Sequence, residues 1–161
     1  PSAVELAHGR SLAYPAQPPF AGDQLRMVDQ VEVFLPDGGP HHLGFIRASR
    51  QVRREEWFFK AHFFQDPVVP GSLGLESFLQ LLKFLACERW GIPGEKGWQA
   101  DEPHEWIYRG QVIPNDRLVT IEAVVTAVDE TSRLLTAEGF LAVDGRVIYG
   151  MKQFTVQPAP G

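Results

Sequence analysis

Residues 71–90, with the sequence GSLGLESFLQLLKFLACERW, decide the fold because they predict one long helix that has no polar face. Apolar side chains cover nearly the whole circumference of this segment, which is typical of a helix that is buried on all sides. Pro70 before the segment and Gly91 after it are residues that commonly flank the start and the end of a helix. We therefore predict a single buried helix at the centre of the domain.

The rest of the domain is predicted to form strands around that helix. Runs rich in Val, Ile, Thr and aromatic side chains favour strands, and they cover residues 26–34, 43–52, 106–113, 118–128, 134–143 and 147–156. Short turns separate the later runs, and Asp144-Gly145 is a strong hairpin signal. Because strands and helices do not alternate along the chain, we expect an antiparallel sheet and the α+β fold class.

Composition limits the size of the domain and the kind of partner. The chain has 161 residues and a formal net charge of −5. This length suits one domain, and the charge argues against a nucleic-acid partner because phosphate is normally met by a basic surface. We assign residues 1–22 to a proline-rich arm or linker, 23–158 to a single domain and 159–161 to a tail. A start without Met suggests a processed chain or a piece of a longer polypeptide.

The cysteine content and the longest apolar run indicate the cellular setting. Cys87 is the only cysteine, so neither an internal disulfide nor a zinc site is predicted, and a reducing cytoplasm fits. The apolar run over residues 78–87 is interrupted by Gln80 and Lys83. It is too short and too polar to span a bilayer, so we expect no membrane partner.

Two residues near the start of the helix have the chemistry of a catalytic pair. His62 follows an aromatic cluster, and an imidazole can act as a base near neutral pH. Glu76 lies in the second turn of the apolar helix, where burial would disfavour its charged form and keep a proton available for donation. Gln80 is one turn further along the same face, where its amide could orient the Glu76 carboxyl.

The first turn of the helix adds a third chemical element. Free backbone N–H groups at Gly71 would attract the negative charge that develops on a thioester carbonyl. Gly74 would leave a bare surface where a chain could pass close to the helix. A base, an acid and an oxyanion site together suit removal of an α-proton and loss of a β-hydroxyl, with no metal or other cofactor.

Structural roles stay open for the same side chains. A histidine beside aromatic residues is more often structural than catalytic, and Glu76 could instead pair with an Arg or Lys. Tyr149 is expected to serve in packing, and Asp129 and Glu130 are expected to form a solvated hairpin tip rather than an acid/base pair.

The run WFFKAHFFQDPVVPGSLGLESFLQ, residues 57–80, resembles the active-site motif of the bacterial β-hydroxyacyl-[acyl carrier protein] dehydratases, the β-hydroxydecanoyl type especially. That motif has an aromatic pair, His-Phe, Asp-Pro, a Pro-Gly turn and an acidic residue on the following helix. Further similarity extends the match to about residues 25–156. The sequence is most similar to the dehydratase domains of polyunsaturated fatty acid and polyketide synthases, which are tandem hotdogs inside large multienzymes.

The resemblance implies a hotdog fold, in which a curved antiparallel sheet wraps a long central helix. It implies that His62 and Glu76 are the catalytic residues and that Gln80 supports the carboxyl. Gly71 and Ser72 would form the oxyanion and substrate-binding turn. The implied reaction is dehydration of 3-hydroxyacyl thioesters to trans-2-enoyl thioesters in fatty acid or polyketide biosynthesis.

The resemblance also implies two kinds of protein partner. Two hotdogs would pair, as a homodimer or with a tandem partner, so that His62 of one faces Glu76 of the other. An acyl carrier protein would deliver the substrate on its 4'-phosphopantetheine arm.

Three positions depart from the β-hydroxydecanoyl pattern. That group carries Asp at the position of Glu76, whereas Glu is found in the purely dehydrating relatives. Ser72 replaces a frequent cysteine and Val69 a common methionine. These departures favour dehydration without isomerisation. The alternatives are a dehydratase that also isomerises, a hotdog thioesterase, and a non-catalytic half of a tandem hotdog.

Overall fold

One long helix lies against a curled antiparallel sheet in this computed structural model, which describes residues 12–13, 25–61, 65–93, 97–99 and 104–160. Two helices occur in these ranges, α1 (Trp57–Ala61) and α2 (Gly71–Trp90). The strands are β1 (Leu12–Ala13), β2 (Gln30–Leu35), β3 (Phe45–Gln51), β4 (Trp98–Gln99), β5 (Glu105–Tyr108), β6 (Leu118–Asp129), β7 (Leu134–Val143) and β8 (Arg146–Pro158). The α+β prediction is confirmed.

The sheet follows the order β1-β2-β3-β6-β7-β8, and both β4 and β5 pair with β8. Every strand pair in the described ranges is antiparallel. The short turns between the last four runs predict one antiparallel meander, and this was wrong for the first of them, because β5 pairs with β8 and not with β6. Strands β6, β7 and β8 form the meander. Its final turn is at Asp144-Gly145, where both residues have a positive φ, as a tight hairpin requires.

Helix α2 begins and ends at the predicted residues and packs against β3, β6, β7 and β8. Gly91 ends it in the left-handed conformation, with φ 61°, which glycine adopts without steric cost. Its buried side is dominated by Phe78, Leu81, Leu82, Leu85 and Ala86, which pack into the main hydrophobic core. Two polar residues, Ser77 and Gln80, are buried among them.

Three predicted strands are shorter than expected. The strand predicted over 43–52 is observed at Phe45–Gln51, and tertiary contacts explain the other two. The strand predicted from residue 26 begins at Gln30, because the N–H of Met27 donates to the side chain of Gln80 instead of to a neighbouring strand. The strand predicted over 106–113 ends at Tyr108, because the carbonyl of Val112 accepts a hydrogen bond from Val69 N in the loop before α2.

Two segments that were predicted to lack strands contribute short ones. Within the proposed arm of residues 1–22, β1 pairs with β2, and the other residues of that arm lie outside the described ranges. Between Gly91 and Glu105, where no strand was predicted, β4 pairs with the end of β8. Each is only two residues long, so neither carries a recognisable sequence pattern.

Candidate active site

The first turn of α2 presents backbone N–H groups at one edge of the sheet. Pro70 precedes the helix with extended backbone (φ −53°, ψ 135°), and its carbonyl accepts hydrogen bonds from the amides of Leu73 and Gly74. The amides of Gly71 and Ser72 point out of the helix end, where a helix offers them no acceptor. Ser72 is exposed. This end of the helix therefore has the positive partial charge that an oxyanion site needs.

Two aromatic rings lie against the glycines of this turn. A Cβ placed on Gly71 would lie 2.7 Å from Cη2 of Trp106, and one on Gly74 would lie 2.1 Å from Cε2 of Tyr149. Both distances are too short for real carbon atoms, so each glycine is needed for close approach. The bare surface predicted at Gly74 does allow a close approach, and the group that approaches is the chain's own Tyr149 ring.

Glu76 lies in the second turn of α2, beside two polar side chains of the same helix. Its Oε1 accepts a hydrogen bond from Gln80 Nε2 at 3.3 Å and lies 3.8 Å from the Lys83 ammonium. The expected support from Gln80 is present, and so is the ion pair that the structural alternative required. The Glu76 side chain remains 27% exposed, so the helix position alone does not bury it as fully as the sequence suggested.

Gln80 is fully buried and links the helix to the segment before β2. Its Oε1 accepts from Met27 N at 2.8 Å, and its Nε2 donates to Leu25 O at 2.7 Å. Both bonds are shorter than the 3.3 Å bond to Glu76. Because one partner is a donor and the other an acceptor, they fix which end of the Gln80 amide is the oxygen and which is the nitrogen. The amide is therefore oriented before it contacts the carboxyl.

His62 lies outside the described residues, and so does the Phe-Phe that follows it. Helix α1, which ends one residue earlier at Ala61, is described. It is held to β3 by Arg50, whose guanidinium forms an ion pair with Glu56 and lies 5.3 Å from the ring centre of Phe58. The structure thus defines what holds the segment leading to His62, and the placement of the imidazole itself remains a prediction.

Three residues near this site were not singled out by the sequence analysis as functional: Arg50, Trp106 and Tyr149. Arg50 is the most unusual, since it is buried with 7% of its surface exposed. The sequence did contain an indication that Arg50 is buried. Side chains alternate between the two faces of a strand, and Arg50 is therefore on the same face of β3 as the buried residues Ile46 and Ala48. An arginine in an inward position of a strand needs a partner, which the sequence did not identify.

Tyr149 is almost completely buried, and burial raises the pKa of its hydroxyl above the usual range, with a smaller contribution from nearby Tyr108. It therefore stays protonated at any physiological pH. Its ring contacts the rings of Trp106 and Tyr108. Together these rings cover the first turn of α2 from the side of β5 and β8.

A second concave surface lies away from α2. It is a groove of about 390 Å³ lined by residues of β5 to β8 and by Arg109, and no residue of α2 lines it. Phe140 and Val147 are exposed in this groove.

Asp129 and Glu130 form the predicted hairpin tip, and hydrogen bonds lower the pKa of both carboxyls. Among the described residues, no cluster of His, Cys, Asp or Glu could hold a metal ion, and no helix is long and apolar enough to cross a membrane.

A helix cradled by a curled antiparallel sheet, with its N-terminus at the sheet edge, defines the hotdog class of proteins, as predicted. Residues 20–152 match the family described as the FabA-like domain. Because the match covers most of the chain, this protein belongs to the FabA-like domain family, a family of hotdog dehydratases.

Solved structures share the fold at low sequence identity. The dehydratase heterocomplex ApeI:P from Xenorhabdus doucetiae is similar with a TM-score of 0.66 and 14% identity, over 93% of each chain. A hypothetical thioesterase with coenzyme A from Streptococcus pneumoniae TIGR4 has a TM-score of 0.51 and 10% identity, over 71% of this chain and 78% of that one. AziG from S. sahachiroi has a TM-score of 0.51 and 13% identity, over 73% and 85%. At these identities the likeness concerns the fold alone.

Proposed function

We propose that this protein dehydrates 3-hydroxyacyl thioesters to trans-2-enoyl thioesters, with the substrate carried by an acyl carrier protein. In this mechanism His62 removes a proton from the α-carbon, and the Gly71 amide stabilises the enolate oxygen. Glu76 donates a proton to the departing β-hydroxyl, which leaves as water. Membership of the FabA-like family supports this class of reaction.

The observation that carries the proposal is the position of Glu76 relative to the first turn of α2. Glu76 is five positions after Gly71, a rise of about 7.5 Å along the helix axis. The Glu76 carboxyl lies beside side chains of the next two turns, 3.3 Å from Gln80 Nε2 and 3.8 Å from Lys83 Nζ. Its side chain is 27% exposed, so a substrate can reach it. In the proposal, a thioester whose carbonyl binds the amides extends its β-hydroxyl to the Glu76 carboxyl, which Gln80 holds in place.

The same geometry favours a paired hotdog. Glu76 is 27% exposed in the single chain, and a general acid works best where water is excluded. A second hotdog packed over this edge would cover Glu76 and could supply His62 from across the interface. The similar Xenorhabdus doucetiae structure is itself a dehydratase heterocomplex, so the partner could be a second copy or a different hotdog chain.

Mass spectrometry of the products from a panel of 3-hydroxyacyl carrier-protein substrates tests the proposal. The wild type is expected to form enoyl thioesters, and Glu76→Gln is expected to lose about 100-fold or more in rate. Glu88→Gln is the matched control, since it removes an exposed carboxyl from the same helix and should keep the full rate.

A Glu76→Gln protein that dehydrates at the normal rate would overturn the role of Glu76. Release of free acid instead of enoyl thioester would identify a thioesterase, and conversion of a trans-2-enoyl thioester to a positional or cis isomer would add isomerisation. A chain that is inactive alone but active with a second hotdog would indicate that its site is completed by the partner.

A further inference from the structure

A small cavity lies between α2, β3 and β8, next to the candidate active site. Its polar lining residues are Arg50, Ser77 and Tyr149, and apolar side chains such as Leu73 and Val112 form the remainder. Its volume is about 20 Å³. This is enough for one water molecule and too little for a larger ligand.

Two of the three polar residues have a buried hydrogen-bonding atom without a partner. Nε of Arg50 and the hydroxyl of Tyr149 are both inaccessible to solvent and form no hydrogen bond. Leaving such a group unpaired costs as much as losing a hydrogen bond, and native proteins rarely do so. Because both residues line the same cavity, one acceptor inside it could satisfy both atoms.

Ser77 supplies the remaining bond that a water would need. Its hydroxyl donates to the carbonyl of Gly74 at 2.5 Å, which leaves its oxygen lone pairs available as acceptors. A water in the cavity would accept hydrogen bonds from Arg50 Nε–H and the Tyr149 hydroxyl and would donate one to Ser77. Three hydrogen bonds are typical of a buried structural water.

We propose that this cavity binds one ordered water, and that the water links Arg50 to Tyr149 and makes both of them positioning residues for the active site. Arg50 holds α1, which leads to His62, through Glu56 and Phe58. Tyr149 contacts Gly74 and the Trp106 ring that covers Gly71. The water thus connects the segment that carries the base to the turn that carries the oxyanion site. This role in positioning rests on the proposed dehydratase function, whereas the water site itself does not.

Tyr149→Phe removes the hydroxyl and tests the water site, because the direction of the change in Tm depends on whether the cavity holds a water. If the cavity holds a water, Tyr149→Phe loses a buried hydrogen bond, and Tm should fall by about 3 °C. If the cavity is dry, the substitution removes an unpaired polar atom, and Tm should stay the same or rise. Tyr108→Phe is the control, because it removes an exposed hydroxyl from a ring in the same aromatic cluster.

A crystal structure at high resolution gives the direct observation. Electron density for one water within hydrogen-bonding distance of Arg50 Nε and the Tyr149 hydroxyl is expected in the wild type. An empty cavity, or a Tm for Tyr149→Phe at or above that of the wild type, overturns the proposal.

Amide hydrogen exchange separates the positioning role from the dehydratase function. Tyr149→Phe and Arg50→Lys should accelerate exchange in residues 57–61, while Tyr108→Phe and Arg47→Lys should not. Arg47 is the matched arginine, since it is on the same strand and is also paired with a carboxylate, Glu122. If the chain is an active dehydratase, Tyr149→Phe should lower kcat about tenfold with little change in KM.

Unchanged exchange in residues 57–61 in both Tyr149→Phe and Arg50→Lys would overturn the positioning role. An inactive wild type that still shows the water and the accelerated exchange would overturn only the proposed function.

Discussion

Gln80 Nε2 donates a hydrogen bond to Glu76 Oε1 at 3.3 Å, while the other end of the same amide accepts from the backbone of Met27 at 2.8 Å. One buried side chain therefore connects the candidate acid to the backbone of Met27, which lies 53 residues before Gln80. The carboxyl is held by the tertiary structure and not by its helix alone. Gln80 should consequently matter for both stability and activity.

Replacing Gln80 with Leu should destabilise the protein by about 2 kcal/mol or more, because the Met27 amide and the Leu25 carbonyl would lose their buried partner. Urea denaturation of the purified variant measures this change. Gln51→Leu is the control, since Gln51 is exposed and its loss should change stability by less than about 0.5 kcal/mol. Equal stability of the two variants would show that the buried amide contributes nothing.

Gly74→Ala should destabilise the protein by about 1–3 kcal/mol, the usual range for overpacking a core. The new Cβ would lie 2.1 Å from the buried Tyr149 ring, and this ring has little room to move. Gly97→Ala is the matched control, because its Cβ would come no closer than 3.4 Å to its neighbour. Thermal unfolding of both variants provides the comparison, and a Gly74→Ala protein as stable as Gly97→Ala would contradict the packing.

Tyr149 should make the protein sensitive to alkaline pH. Burial raises the pKa of its hydroxyl in the folded state, so above about pH 10 the unfolded chain releases this proton while the folded protein retains it. The stability contributed by the neutral hydroxyl is present below that pH and is lost as the pH rises towards the higher folded value. Denaturation curves between pH 8 and 11 should decline less steeply for Tyr149→Phe than for the wild type, with Tyr108→Phe resembling the wild type.

Glu130 should contribute to stability at neutral pH and lose this contribution in acid. A hydrogen bond from Trp90 Nε1 at 2.6 Å and those from Arg89 lower the pKa of this carboxyl. Its stabilising effect is therefore complete above the usual pKa of a glutamate and disappears as the pH falls through the lowered value. Wild type and Glu130→Gln should differ in Tm at pH 7 and converge towards pH 3.

The exposed Glu55, which lies in a turn, supplies the control for this effect. Glu55→Gln should match the wild type throughout the pH series. A constant difference between wild type and Glu130→Gln across the series would indicate that the hairpin tip does not depend on the charge.

The sequence by itself determined the central helix and the hairpins, because their signals are local. An all-round apolar run between Pro70 and Gly91 specifies a buried helix, and the structure has it at residues 71–90. Strand β7 likewise has its predicted bounds, since turns limit it on both sides. The candidate residues Gly71, Ser72, Glu76 and Gln80 could be named for the same reason: they form one contiguous motif.

Only the tertiary structure decided what surrounds that motif. The partners of Gln80, the Tyr149 ring on Gly74 and the burial of Arg50 all depend on which strands lie beside α2 and in what register. The pairing of β7 with β8 contains register shifts on both sides of Tyr149, so simple alternation does not predict which way each residue of β8 faces. The 27% exposure of the Glu76 side chain also depends on the tertiary structure. The position of a residue on a helix gives the direction of its side chain, but not which other elements cover that side chain.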